Sequence, residues 1–134
     1  MDTIATILTN TKTIAVIGMK SDEATDAFRI PNYMHNHGYI VFAVNPFLEG
    51  QEILGEPAAS KITDLLTPVD LVNIFRRPEH IYKHVEEILR MFPLPRYVWF
   101  QLGIYNDDAA RRLSKHGIQV VQNRCIMIEH ENVM

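Results

Sequence analysis

Short apolar runs rich in β-branched and aromatic residues alternate with helix-like segments along nearly the whole chain. That alternation leaves few folds open. Residues 13–17 (TIAVI), 40–44 (IVFAV) and 71–75 (LVNIF) are too continuously apolar for strands with one wet face, so they read as strands buried on both sides. Two further strands are expected at 97–101 (YVWFQ) and 118–121 (IQVV), the second directly after Gly117, which suits a helix C-cap. Helical patterns fill the intervals at 26–37, 78–91 and 107–116. Pro78 follows Arg77 as a first-turn proline, and Asn106 stands before Asp107 and Asp108 as an N-cap with acidic residues behind it.

Strand and helix in turn predict an α/β, Rossmann-like three-layer sandwich whose five-stranded, mostly parallel sheet is covered on both faces. The 134 residues amount to a single domain, long enough for a core without disulfide or metal staples. Pro31 should kink the helix pattern that contains it unless it falls in the first turn, so that helix is expected to begin near Ile30. Residues 46–66, with Gly50, Gly55 and Pro57, read as a long loop holding a short strand near 52–54 and a helical turn at 62–66. Ile4, Ile7 and Leu8 allow a short amphipathic helix at the N-terminus.

Composition removes several classes of function. No apolar run approaches the roughly 20 residues of a membrane span, and residues 1–11 lack a basic segment leading into an apolar one. A cytoplasmic protein is therefore expected. Cys125 is the sole cysteine, which excludes an intrachain disulfide and cysteine-rich metal sites. A net charge of −3 does not favour nucleic acid, and no helix-turn-helix with a basic recognition helix is visible. Any anionic ligand must be held by a local cluster.

In doubly wound sheets ligands bind beyond the carboxyl ends of the strands. The residues there are Gly18-Met19-Lys20-Ser21, Asn45-Pro46, Arg76-Arg77-Pro78, Leu102-Gly103 and Gln122-Asn123-Arg124-Cys125. Gly18 permits a tight turn and a close backbone approach, and the amides that follow suit a pyrophosphate; the same glycine can equally serve the turn alone. The G-x-G-x-x-G fingerprint is missing, and the second strand ends in Asn45-Pro46 where NAD enzymes usually offer an acidic residue to the ribose. Lys20, Arg29, Arg76 and Arg77 suit a ligand such as coenzyme A, with a ribose 3′-phosphate beside its pyrophosphate. Any one of these cations can instead be a solvated residue or a partner of Asp22, Glu23 or Glu79.

The segments AVIGMKS (15–21), FRI (28–30), VNP (44–46), EILGEP (52–57), VDLVNIFRRPEHI (69–81), VWFQLGI (98–104) and NRCIMIEH (123–130) resemble the small stand-alone CoA-binding proteins. Their domain is similar to the CoA-binding domain of the succinyl-CoA synthetase α subunit. The resemblance implies that Gly18, Lys20, Ser21 and Arg29 hold phosphates, and Met19, within the same loop, is counted with the cofactor-binding residues. It implies that Asn45, Pro46, Phe75, Arg76 and Arg77 bound the adenosine, and that Gln101, Leu102, Gly103, Asn123 and Cys125 line the pantetheine side. Many relatives carry a small hydroxyl residue two positions after the glycine; here that position is Lys20, with Ser21 one step later.

A non-catalytic module for coenzyme A or acyl-CoA is the leading expectation, since no catalytic residue or metal site can be placed. The synthetase's phosphohistidine domain has no counterpart in this sequence. The six histidines read as helix-surface residues, and the His80/His84 pair lacks a third metal ligand. Cys125, after Arg124 at the start of the last helix, is either a thiol able to form a mixed disulfide with coenzyme A or a packing residue beside the pantetheine channel. The alternatives are a small acyl-CoA-dependent enzyme and a nucleotide-sensing redox regulator. A homodimer or an acyl-CoA enzyme as partner is compatible with any of them.

Overall fold

The computed structural model describes residues 1–134. Helix α1 (Ile4–Asn10) leads into strand β1 (Thr13–Ile17), helix α2 (Asp26–Asn36) and strand β2 (Ile40–Val44). A 3-10 turn (Pro46–Leu48), a two-stranded hairpin of β3 (Glu52–Ile53) and β4 (Glu56–Pro57), and a second 3-10 turn (Ile62–Asp64) follow. The chain then alternates through β5 (Leu71–Ile74), α3 (Pro78–Ile88), β6 (Tyr97–Phe100), α4 (Asp107–Ser114), β7 (Gln119–Val121) and α5 (Ile126–Val133). The main sheet has the order β2-β1-β5-β6-β7, and every neighbouring pair is parallel.

Strand alternation divides the core into two layers. Ile14 and Val16 of β1, Val41 and Ala43 of β2, Leu71 of β5 and Tyr97 and Trp99 of β6 meet α1, α2 and α5 through Ile7, Leu8, Ile30, Met34 and Ile126. The intervening residues Ala15, Ile17, Phe42, Val72, Ile74, Val98 and Phe100 face Ile81, Val85 and Ile88 of α3 and Ala109 and Leu113 of α4. Both faces are thus covered, as continuous apolar strands require.

Helix α2 starts at Asp26, with Thr25 as N-cap, and carries Pro31 in its interior rather than beginning near Ile30. Proline has no N–H to give to the carbonyl four residues back, that of Ala27. The Lys20 N–H donates to that carbonyl instead, at 3.3 Å. The helix tolerates its proline because the freed acceptor fastens the loop after β1. Asp70 joins the other ends of the same strands: one of its carboxylate oxygens accepts from the backbone N–H groups of Lys12 and Thr13, at 2.8 and 3.1 Å.

Candidate ligand site at the carboxyl edge of the sheet

From β1 the chain steps to β2 on one side, then crosses to β5 on the other. The exits of β1 and β5 are therefore the topological switch point, where an open parallel sheet leaves a crevice. Three backbone bonds fix the strand exits there. Gly18 N–H donates to Val44 O and Phe75 N–H to Ile17 O, both at 2.9 Å, and Gln101 N–H donates to Ile74 O at 3.2 Å. At φ +84°, Gly18 lies so close to β5 that a Cβ would come within 2.5 Å of the Phe75 carbonyl oxygen. The close approach that demands glycine is thus to the neighbouring strand.

Two cavities open at this edge, and Gly18 and Arg76 line both. The larger, about 660 Å³, runs past Lys20, Arg29, Phe75 and Arg77 to Gln101, Leu102, Gly103 and Cys125. Ala27, Ile30, Met127 and Ile128 give this end an apolar wall that the sequence reading did not foresee. The smaller, about 390 Å³, is bounded by Asn45 and Pro46 and by Ser60, Lys61, Lys83, His84 and Glu87, none of which was singled out for binding. Only tertiary contacts bring these last five together, because they come from the loop before the second 3-10 turn and from the body of α3.

The expected residues divide on inspection. Met19 is fully buried in the core and borders neither cavity; only its carbonyl faces the site, accepting from Asn45 Nδ2 at 2.8 Å. Ser21 is exposed and lines neither cavity. Asn123 lies just outside the larger one, where its backbone is left-handed (φ +57°) and its Oδ1 accepts from Gly103 N–H at 2.7 Å. It ties the loop after β6 to the loop after β7. The remaining twelve border one or both cavities.

The cations are largely uncommitted. Arg29 pairs with Asp26 at 2.8 Å, whereas Lys20, Lys61, Arg76, Arg77 and Lys83 form no ion pair. A chain of net charge −3 therefore concentrates free positive charge around one crevice. At the far end of the larger cavity, Trp99 Nε1 donates to Arg124 O at 2.8 Å, and Gln101 Oε1 accepts from Ile126 N–H at 3.3 Å and from Asn73 Nδ2 at 3.4 Å. These bonds set the start of α5 and hold Cys125, its N-cap, against the cavity. Gln101 Nε2 is left buried without a partner.

Two histidines depart from the surface position expected of them. His130 is buried beside Tyr33, whose hydroxyl lies 2.9 Å from Nδ1, and its pKa is lowered by burial first and by neighbouring His37 second. His84 is half-buried, with Nδ1 3.0 Å from Glu87 Oε1. Burial lowers its pKa against the opposing effect of Glu87.

Residues 12–131 match the model of the family described as "CoA binding domain". The chain belongs to the CoA-binding domain family. It is 33% identical over 127 residues to the uncharacterized protein YneT of Bacillus subtilis (strain 168), covering 95% of this chain and 91% of that one. The structure of cell-free ID.343 from Thermus thermophilus superimposes with a TM-score of 0.91 at 38% identity, over 96% of this chain and 94% of that chain. A dinucleotide-forming acetyl-coenzyme A synthetase from Ca. Korarchaeum cryptofilum superimposes with a TM-score of 0.66 at 16% identity, over 81% of this chain and 25% of that chain. At that identity the likeness is one of fold. The parallel sheet and flanking helices of the CoA-binding domain family are those anticipated from the strand pattern.

Proposed function

We propose that this protein binds coenzyme A or an acyl-CoA across the two adjoining cavities, with the nucleotide in the smaller and the pantetheine arm in the larger. The observation that carries this reading is the unequal chemistry of two cavities that share Gly18 and Arg76. Lys61, Arg76 and Lys83 suit a phosphorylated ribose, while Leu102, Met127 and Ile128 suit a neutral, partly apolar arm. Lys20, Arg29 and Arg77 join the shared Arg76 in the larger cavity, a set of cations suited to the pyrophosphate.

Membership of the CoA-binding domain family supports the ligand class. A binding module is favoured over an enzyme because Cys125, the strongest nucleophile at the site, has no base in hydrogen-bond contact to activate it.

The test is calorimetric titration of protein freed of copurified nucleotide with coenzyme A, dephospho-CoA, acetyl-CoA and NAD. Coenzyme A should bind most tightly of the unacylated ligands. Arg76→Ala should weaken it by about tenfold to a hundredfold, the worth of one charge-assisted hydrogen bond. Binding of NAD in preference to coenzyme A would refute the assignment.

A further inference from the structure

We infer that His84 is the specificity-determining contact for the ribose 3′-phosphate in the smaller cavity, and that it meets this phosphate by taking up a proton at Nε2. This deepens the coenzyme A reading above and rests on it. The geometry begins with Glu87. Its carboxylate oxygen, 3.0 Å from His84 Nδ1, can only accept, so Nδ1 carries the hydrogen and the neutral ring presents a bare lone pair at Nε2. That nitrogen is buried and has no partner. An unsatisfied buried polar atom is costly to a fold, and its position beside a cavity marks a place for a ligand atom.

The surrounding charges select the ligand's chemistry. From the loop after β5 comes Arg76, from the loop before the second 3-10 turn Lys61, and from α3 itself Lys83; Glu87 is the one carboxylate. Asp64 of that turn borders a different hollow, and Glu86 is held away by Arg112 of α4 at 2.5 Å. The ends of β1 and β2 contribute Ile17, Gly18, Val44, Asn45 and Pro46, none of them charged. Three cations against one carboxylate call for an anion, and a phosphate monoester has enough oxygens to meet several donors at once.

Protonation follows from the same arrangement. Phosphate oxygens accept hydrogen bonds, so the bare Nε2 of the neutral ring can engage them only after gaining a proton. Without ligand, burial first and the charges of Arg76 and Lys83 after it together prevail over the pull of Glu87 and lower the ring's pKa, so it is neutral at neutral pH. A dianion set among these groups offsets the repulsion from Arg76 and Lys83 and gives Nε2–H an acceptor. Binding therefore raises the pKa, and coenzyme A affinity should increase as pH falls through the bound-state value and level off below the lower, ligand-free one. The phosphate's own second ionisation, near pH 6, is complete enough at pH 7.5 to keep its protons out of the measurement.

The experiment is calorimetry at pH 7.5 in two buffers of different ionisation enthalpy, using the full chain with coenzyme A and with dephospho-CoA. Wild type should take up a few tenths of a proton to about one proton per coenzyme A and almost none with dephospho-CoA. His84→Gln should abolish the uptake and reduce the preference for coenzyme A over dephospho-CoA by about tenfold. Equal affinity for the two ligands, or uptake retained in the variant, overturns the inference and leaves the coenzyme A reading standing. Failure of wild type to bind either ligand overturns both. Should His84→Gln unfold, the imidazole resonances of wild-type His84 decide: protonated in the complex and neutral without ligand supports the inference, and neutral in both refutes it.

Discussion

Replacing Gly18 with alanine should destabilise the protein well beyond the same change at Gly117, and the contrast isolates what the first loop requires. Both glycines are left-handed, with φ +84° and +82°. Each substitution therefore meets a conformational penalty of about 1–2 kcal/mol, partly offset by roughly 0.4–1 kcal/mol from a less flexible unfolded chain. At Gly117 the new methyl group has nothing within 4 Å. At Gly18 it would sit 2.5 Å from the Phe75 carbonyl oxygen, 3.0 Å from Arg76 Cδ and 3.2 Å from the Phe75 carbonyl carbon. Arg76 can swing aside, but the Phe75 backbone is held by its bond to Ile17 O, so β1 and β5 must part. Forcing extra volume into a packed site adds about 1–3 kcal/mol. We expect a loss of about 0.5–1 kcal/mol for Gly117→Ala and about 2–4 kcal/mol for Gly18→Ala, within a total stability of about 5–15 kcal/mol. Equilibrium urea denaturation measures both. Equal losses would refute the claim that β5 presses on Gly18. A folded Gly18→Ala protein should also bind coenzyme A weakly, since Arg76 is displaced from the wall shared by the two cavities.

Two further outcomes follow from groups outside the phosphate end. Cys125 borders the larger cavity, so coenzyme A at saturation should slow its alkylation by iodoacetamide about tenfold or more, read by mass spectrometry. Alkylation at an unchanged rate would remove the pantetheine arm from that cavity. The lowered pKa of buried His130 means that the unfolded chain, with an ordinary value of about 6.5, binds the proton more readily than the fold does. Stability should therefore decline as pH falls below about 6.5 and level off below the folded value. His84 acts with the same sign. Urea midpoints between pH 7.5 and 5.5 should record this, with a shallower dependence in His130→Gln; an unchanged slope would show that other groups set the acid sensitivity.

The sheet was legible because its strands are apolar on both faces, and short runs rich in β-branched and aromatic residues mark such strands when helical patterns stand between them. Helix limits were less so. Pro31 argued for a late start to α2, and nothing local revealed that Lys20, eleven residues earlier, would supply the missing donor to Ala27. The strand-exit rule picked out most of the residues that line the two cavities, because topology alone puts those residues on one edge. It did not separate residues that face a cavity from those that hold the edge together. Met19 turns its side chain into the core, and Asn123 braces two loops. The smaller cavity was the least legible part. Ser60, Lys61, Lys83 and His84 belong to no strand exit, and their convergence depends on how the second 3-10 turn packs against α3.

The end of β2 joins the fold to the choice of ligand. Asn45 counts against an NAD site because it stands where an acidic residue usually takes the ribose hydroxyls. Its contacts explain why an acid would be poorly placed here. Nδ2 donates to Met19 O at 2.8 Å, while Oδ1 accepts from Phe47 N–H at 2.9 Å. One side chain thereby ties the loop after β1 to the 3-10 turn after β2. An ionised aspartate could keep the second bond but would turn a carboxylate oxygen towards the Met19 carbonyl, setting acceptor against acceptor. It would also bring negative charge to the rim of the cavity that gathers Lys61, Arg76 and Lys83. Asparagine meets the structural need without opposing a phosphate, so the local packing of the first loop and the proposed phosphorylated ribose both favour the same residue.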